Sequence, residues 1–118
     1  MFLQNQNSAR ALNLSIIFIK SNRKKTLAIG NNDGALFIVD YNNNKNVTAL
    51  NYHNKMIRSI SFANDDSKLL TASDDGSTKL IDLTKQEVVH TFNGHSGNVN
   101  CVDYCPIDDK LFVTSYAN

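Results

Sequence analysis

Cysteine is scarce in this sequence: Cys101 and Cys105 are the two present, which fits a reducing compartment and excludes a disulfide framework. Long apolar runs are missing too. The longest early one, Ile16-Ile17-Phe18-Ile19, falls far short of a signal-peptide core or a membrane span, so an intracellular, non-membrane protein is expected. Neither sign of charge dominates. Twelve Lys and Arg against eleven Asp and Glu leave a net charge of +1, and no bulk field draws the chain to nucleic acid or an anionic membrane. Phosphate-cradling glycine motifs are absent, and no Glu follows Asp74-Asp75-Gly76 at the distance a calcium loop requires. No cofactor is expected. Tryptophan does not occur and proline occurs once.

What is present suits one soluble globular domain: 118 residues, 42% apolar and 19% charged. Asparagine is plentiful, with runs at Asn31-Asn32 and Asn42-Asn43-Asn44 where turns are expected. The dominant feature is an internal repeat. Sliding the sequence by 42 positions, without gaps, sets Asp33-Gly34 on Asp75-Gly76, Asp40 on Asp82, and His53 on His95. Leu27, Leu69 and Leu111 fall in one column, and Lys68 and Ser73 recur as Lys110 and Ser115.

The middle unit predicts four short strands: residues 57–62, 69–73, 78–82 and 87–92. Asn64-Asp65-Asp66-Ser67 turns the chain after the first, and Asp74-Asp75-Gly76 predicts a primed hairpin turn after the second. Four strands per unit of this length is the signature of a propeller blade. Strands such as Leu36-Phe37-Ile38-Val39 run apolar because blades bury both faces. The expected fold is all-β: a partial, unclosed β-propeller of four-stranded antiparallel blades, about two blades plus an incomplete third. Residues 1–14 form an N-terminal segment and residues 15–118 the repeats, in units of about 15–56, 57–98 and 99–118.

Gly94-His95, Ser73, Asp75, and the terminal aspartates Asp40 and Asp82 resemble the fixed positions of the WD-repeat family. His53 fits without its glycine, since Tyr52 precedes it, and Val39 and Ile81 stand where that family has Trp. The first unit departs further, with Ala11 at the histidine position and Asn31 at the serine position. Residues 57–62, 66–76 and Tyr104-Cys105-Pro106 are similar to the propeller subunits of Ski (superkiller) complexes. That resemblance implies a non-catalytic scaffold with helicase-complex subunits as partners, or, in animals, Paf1 transcription-elongation complex subunits. It also implies residence in cytoplasm and nucleus.

Chemistry-bearing residues are weighed against this frame. His53, Ser73 and Asp75 have the residue types of a hydrolase triad. The resemblance instead assigns them, with His95, to a structural hydrogen-bond network, and Ser73 lacks a nucleophile-elbow setting. The default for Cys101 and Cys105 is core or strand end, because a zinc site needs a second pair of ligands. Arg23-Lys24-Lys25 offers an RNA-binding alternative, but it aligns with Asp65-Asp66-Ser67 and reads as a solvated turn whose sign varies. Propeller partners commonly dock on the face carrying the loops around the Gly-His and Asp-Gly turns, here Asn54, Lys55, Met56, Arg58, Asp74, Ser96 and Asn98. Three units are too few to close a ring. A truncated product or a fragment is therefore expected, poorly soluble or oligomeric alone, with self-association through exposed blade edges.

Overall fold

The computed structural model describes residues 16–42, 46–93, 97–105 and 108–116, without the side chains of Asp108 and Asp109. All regular structure among them is strand. The order is β1 (Ile16–Lys20), β2 (Thr26–Asn31), β3 (Leu36–Asp40), β4 (Val47–Ala49), β5 (Ile57–Phe62), β6 (Lys68–Ser73), β7 (Thr78–Asp82), β8 (Glu87–Phe92), β9 (Val99–Cys105) and β10 (Asp108–Tyr116). Each strand pairs antiparallel with its sequence neighbour, giving sheets β1–β4, β5–β8 and β9–β10. The result is an unclosed partial β-propeller. Residues 1–14 lie outside the described residues.

The sheets stack face to face, and the middle one is covered on both sides. Strand β6 shows why its sequence does not alternate: Leu69, Leu70, Thr71, Ala72 and Ser73 are all buried. Successive side chains point to opposite faces. Leu69 joins Ala28, Leu36, Leu50, Ile57, Ile60, Phe62 and Ile81 in a core against the first sheet. Leu70 and Ala72 join Ala63, Val99, Val102 and Tyr104 in a second core against the third. Ile81, where the resemblance would have Trp, pairs with Leu69 and is fully buried. Gly30 lets the first two sheets approach, since a Cβ there would lie 2.8 Å from Ile57 Cγ2.

The hairpin after β6 differs from the primed turn expected. Gly76 N–H bonds the Ser73 carbonyl at 3.2 Å, and Ser73 N–H bonds the Ser77 carbonyl at 3.1 Å. Gly76 has φ +87°, whereas Asp75 keeps a negative φ. This is a type I turn completed by a left-handed glycine, the three-residue hairpin that carries one extra residue in the loop. The first unit repeats it with Asn31 in place of serine. Asn31 Oδ1 accepts from Asp33 N–H (3.0 Å), just as Ser73 Oγ accepts from Asp75 N–H (3.1 Å). The terminal aspartates serve the next turn: Asp40 Oδ1 accepts from Asn42 N–H, and Asp82 Oδ1 from Thr84 and Lys85 N–H.

The third sheet corrects the ungapped alignment. Lys20 pairs with Leu27, and Phe62 pairs with Leu69 at the same repeat position. Tyr104, their counterpart, pairs with Phe112 instead of Leu111, after an irregularity between Asp108 and Phe112. A one-residue slip sends every side chain of a strand to the other face. Phe112 therefore takes the place of Leu69, packing against the second core 5.0 Å from the Phe92 ring. Leu111 and Val113 turn outward, 58% and 70% exposed.

Candidate functional site

The link between β4 and β5 carries His53 under the first-to-second sheet boundary, where Gly34 makes room for it. Gly34 has φ +88°, and a Cβ there would overlap the His53 carbonyl and approach the Lys55 carbonyl at 2.7 Å. The imidazole is buried and spans two sites. Its Nδ1 lies 2.7 Å from Asp75 Oδ2 and its Nε2 lies 2.7 Å from Thr71 Oγ1. An ionised carboxylate only accepts, so Nδ1 carries the proton and Nε2 accepts from the Thr71 hydroxyl. The bonds thus run in one direction, from Thr71 through His53 to Asp75.

Burial lowers the His53 pKa below its ordinary 6.5; the hydrogen bond and charge of Asp75 act in the opposite direction, and the Lys79 charge adds to the lowering. The ring is neutral near pH 7, which the proton arrangement requires. Burial also works to raise the Asp75 pKa, but the Ser77 hydroxyl, His53 and the Ser77 amide outweigh it and hold the carboxyl below its ordinary 3.8. Ser77 donates to Asp75 Oδ1 from both its hydroxyl (2.6 Å) and its amide (2.9 Å).

Ser73 has a different post. Its hydroxyl donates to the Lys55 carbonyl at 3.2 Å and accepts from Asp75 N–H, with no bond to His53. The His53–Ser73 hydrolase alternative is corrected here: the hydroxyl on the imidazole belongs to Thr71, whose relative exposure is 0%. Sequence reasoning missed Thr71. The signal available was its place two residues before Ser73, on the same face of β6. His95 and Ser96 lie outside the described residues.

Around this buried chain stands a polar surface. Lys55, Asp74, Asp75, Gly76, Asn93, Gly97 and Asn98 line a shallow cleft of about 470 Å³. Arg58 clasps Asp74 through Nε–Oδ1 at 2.5 Å and a second nitrogen to Oδ2 at 3.1 Å, and this pairing raises the guanidinium pKa. Asn54 is exposed, whereas Met56 is half-buried with its carbonyl held by Asp74 N–H.

Two further expectations change. Cys101 is exposed rather than in the core, and Cys105 is half-buried at the end of β9. Among the described residues, no group of three or more His, Cys, Asp or Glu is placed to hold a metal. The turn at Arg23-Lys24-Lys25 keeps its side chains exposed, but its counterpart Asp66 is buried, not solvated. Asp66 reaches across the boundary and accepts from the N–H groups of Asn22 (2.8 Å), Arg23 (2.6 Å) and Lys24 (3.0 Å). Burial opposes its ionisation, yet these three amides and the Asn22 side chain hold its pKa below 3.8. Asn22 Nδ2 donates to the Ala63 carbonyl, and Asn64 repeats the contact to the Cys105 carbonyl one unit later.

Stacked four-stranded sheets, joined at their boundary by a His–Asp chain and an Asp-in-amide clamp, define a β-propeller repeat protein. Residues 21–106 match the family model described as the anaphase-promoting complex subunit 4 WD40 domain, and the chain belongs to that WD40 family. Among solved structures, it is similar to the Cps50 (Swd1) β-propeller domain of Myceliophteria thermophila, with a TM-score of 0.81 and 23% identity over 87% of this chain and 31% of that one. A chain in the crystal structure of the Mitotic Checkpoint Complex gives a TM-score of 0.73 and 20% identity, over 79% and 30% of the two chains. Our chain thus spans about a third of the length of either neighbour. No curated protein matches the sequence.

Proposed function

We propose that the chain is a non-catalytic scaffold that binds other proteins through the loop face above His53. The observation that carries this reading is the division of labour among polar groups. Thr71, His53, Ser73 and Asp75 bond one another, Lys55's carbonyl and Ser77, while Lys55, Arg58 and Asn98 stand exposed on that fixed base. A hydrolase would need a reacting hydroxyl open to substrate, and the one on the imidazole is sealed. An RNA-binding role for Arg23, Lys24 and Lys25 would rest on side-chain charge alone, since the amides of Arg23 and Lys24 are engaged by Asp66.

The finer reading places the chain among subunits of an RNA-decay (Ski) or transcription-elongation (Paf1) complex, in cytoplasm and nucleus. Its support is the resemblance of residues 57–62 and 66–76. The test is copurification of helicase-complex and elongation-complex subunits with the wild-type chain and with a Lys55→Glu, Arg58→Glu variant. The reading expects one set of subunits to be retained and then lost in the variant, with circular dichroism showing its sheets intact. Retention of neither set removes the finer reading, and retention by the variant removes the loop face. Salt-sensitive RNA binding lost on reversing residues 23–25 would replace the reading with the RNA alternative.

A further inference from the structure

We infer that the loop face recognises an acidic side chain, an Asp or Glu on a segment of the partner protein, held jointly by Lys55 and Arg58. This rests on the reading of that face proposed above. The repeat supplies the first argument. Asn13 and Gly97 occupy the column of Lys55, Ile16 and Asn100 that of Arg58, and Asn32 and Tyr116 that of Asp74. Asp75, by contrast, has Asp33 in its column. The first sheet forms without charge at the first three positions, so the fold does not call for Lys55, Arg58 or Asp74 in the second.

Strand pairing aims Arg58 outward. Ile57 pairs with Ser73 and Ser59 with Ala72, so Arg58 is the extra residue of a β-bulge, a device that re-aims a side chain. Its side chain is 41% exposed, against 19% for Asp74 and 20% for Asp75. Lys55 is exposed and lines the cleft beside Asp74. An approaching segment therefore meets two cations standing in front of two recessed carboxylates.

The hydrogen bonds point to the same sign of partner. Arg58 occupies both oxygens of Asp74, while His53 and Ser77 occupy those of Asp75. The other guanidinium N–H groups and the Lys55 ammonium have no partner among the described residues. Cationic donors are thus left over where the carboxylate oxygens are already engaged. A partner carboxylate accepts from both cations through charge-assisted bonds, the strong kind. Asp33, on the preceding hairpin turn, is exposed but does not line the cleft.

Peptides selected from a random-peptide phage library on the immobilised 118-residue chain test the inference. Each is synthesised with an amidated C-terminus, so that side chains carry its only carboxylates. Peptides that shift the amide resonances of Lys55, Arg58 and Asp74 are loop-face binders. They should contain an Asp or Glu whose change to Asn or Gln weakens binding by about fivefold or more. A Lys55→Gln, Arg58→Gln variant, its sheets checked by circular dichroism, should weaken binding by as much. In that variant the peptide change should have little further effect, since both remove the same contact. Loop-face binders whose affinity is indifferent to the acidic residue overturn the inference and leave the reading of the face standing. A selection that yields no loop-face binder overturns both.

Discussion

At the scale of single residues, the decisive arrangement is a proton order. Thr71 donates to His53, and His53 donates to Asp75, so removing the first donor orphans a buried ring nitrogen. Thr71→Val keeps the shape and should cost about 1–3 kcal/mol, read as a lower urea midpoint with unchanged slope. The pH dependence follows from the same order. The unfolded imidazole binds a proton near pH 6.5, and the folded one resists it because its pKa is lowered. Stability from this group is complete above pH 6.5 and is lost as the pH falls below it. Asp66 and Asp75, with pKa values below 3.8, lose their contribution only beneath that value. Acid titration of the urea midpoint should therefore show two separate declines. His53→Gln should abolish the upper one and leave the lower.

At the scale of elements, the clamp between hairpin turns sets how neighbouring sheets sit. Asp66 takes a left-handed φ of +63°, which asparagine also tolerates, so Asp66→Asn isolates the loss of charge from backbone strain. Replacing a charged acceptor of three amides by a neutral one should cost about 1.5–3 kcal/mol, measured by denaturant unfolding. The sequence made much of this level legible. The repeat placed β5, β7 and β8 at their observed limits, and missed only Lys68 at the start of β6. The site was legible in part, because His53 and Asp75 stand at fixed repeat positions. Thr71 was hidden by the stronger serine signal at Ser73. The clamp was hidden because Lys24 and Asp66 share a column with opposite charge, and the pattern looked like a variable surface turn. The slip in β10 escaped an ungapped comparison by construction, since it displaces pairing without moving residues in the sequence.

At the scale of the whole molecule, the two cores are unequal in what they enclose. The second sheet contributes to both, whereas among the described residues the first and third each contribute to one. Leu69→Ala should cost about 2–5 kcal/mol, as expected where a fully buried leucine leaves a cavity between two sheets. Stability in a stack of this kind is a sum over neighbours, so it concentrates at the centre and falls off toward the ends. Residue-resolved amide hydrogen exchange on the 118-residue chain tests that account most directly. The amides of Leu69, Leu70, Thr71 and Ala72 in β6 should be the slowest to exchange, with those of β1 and β10 faster. Equal protection in all three sheets, or slower exchange in β10 than in β6, would contradict it.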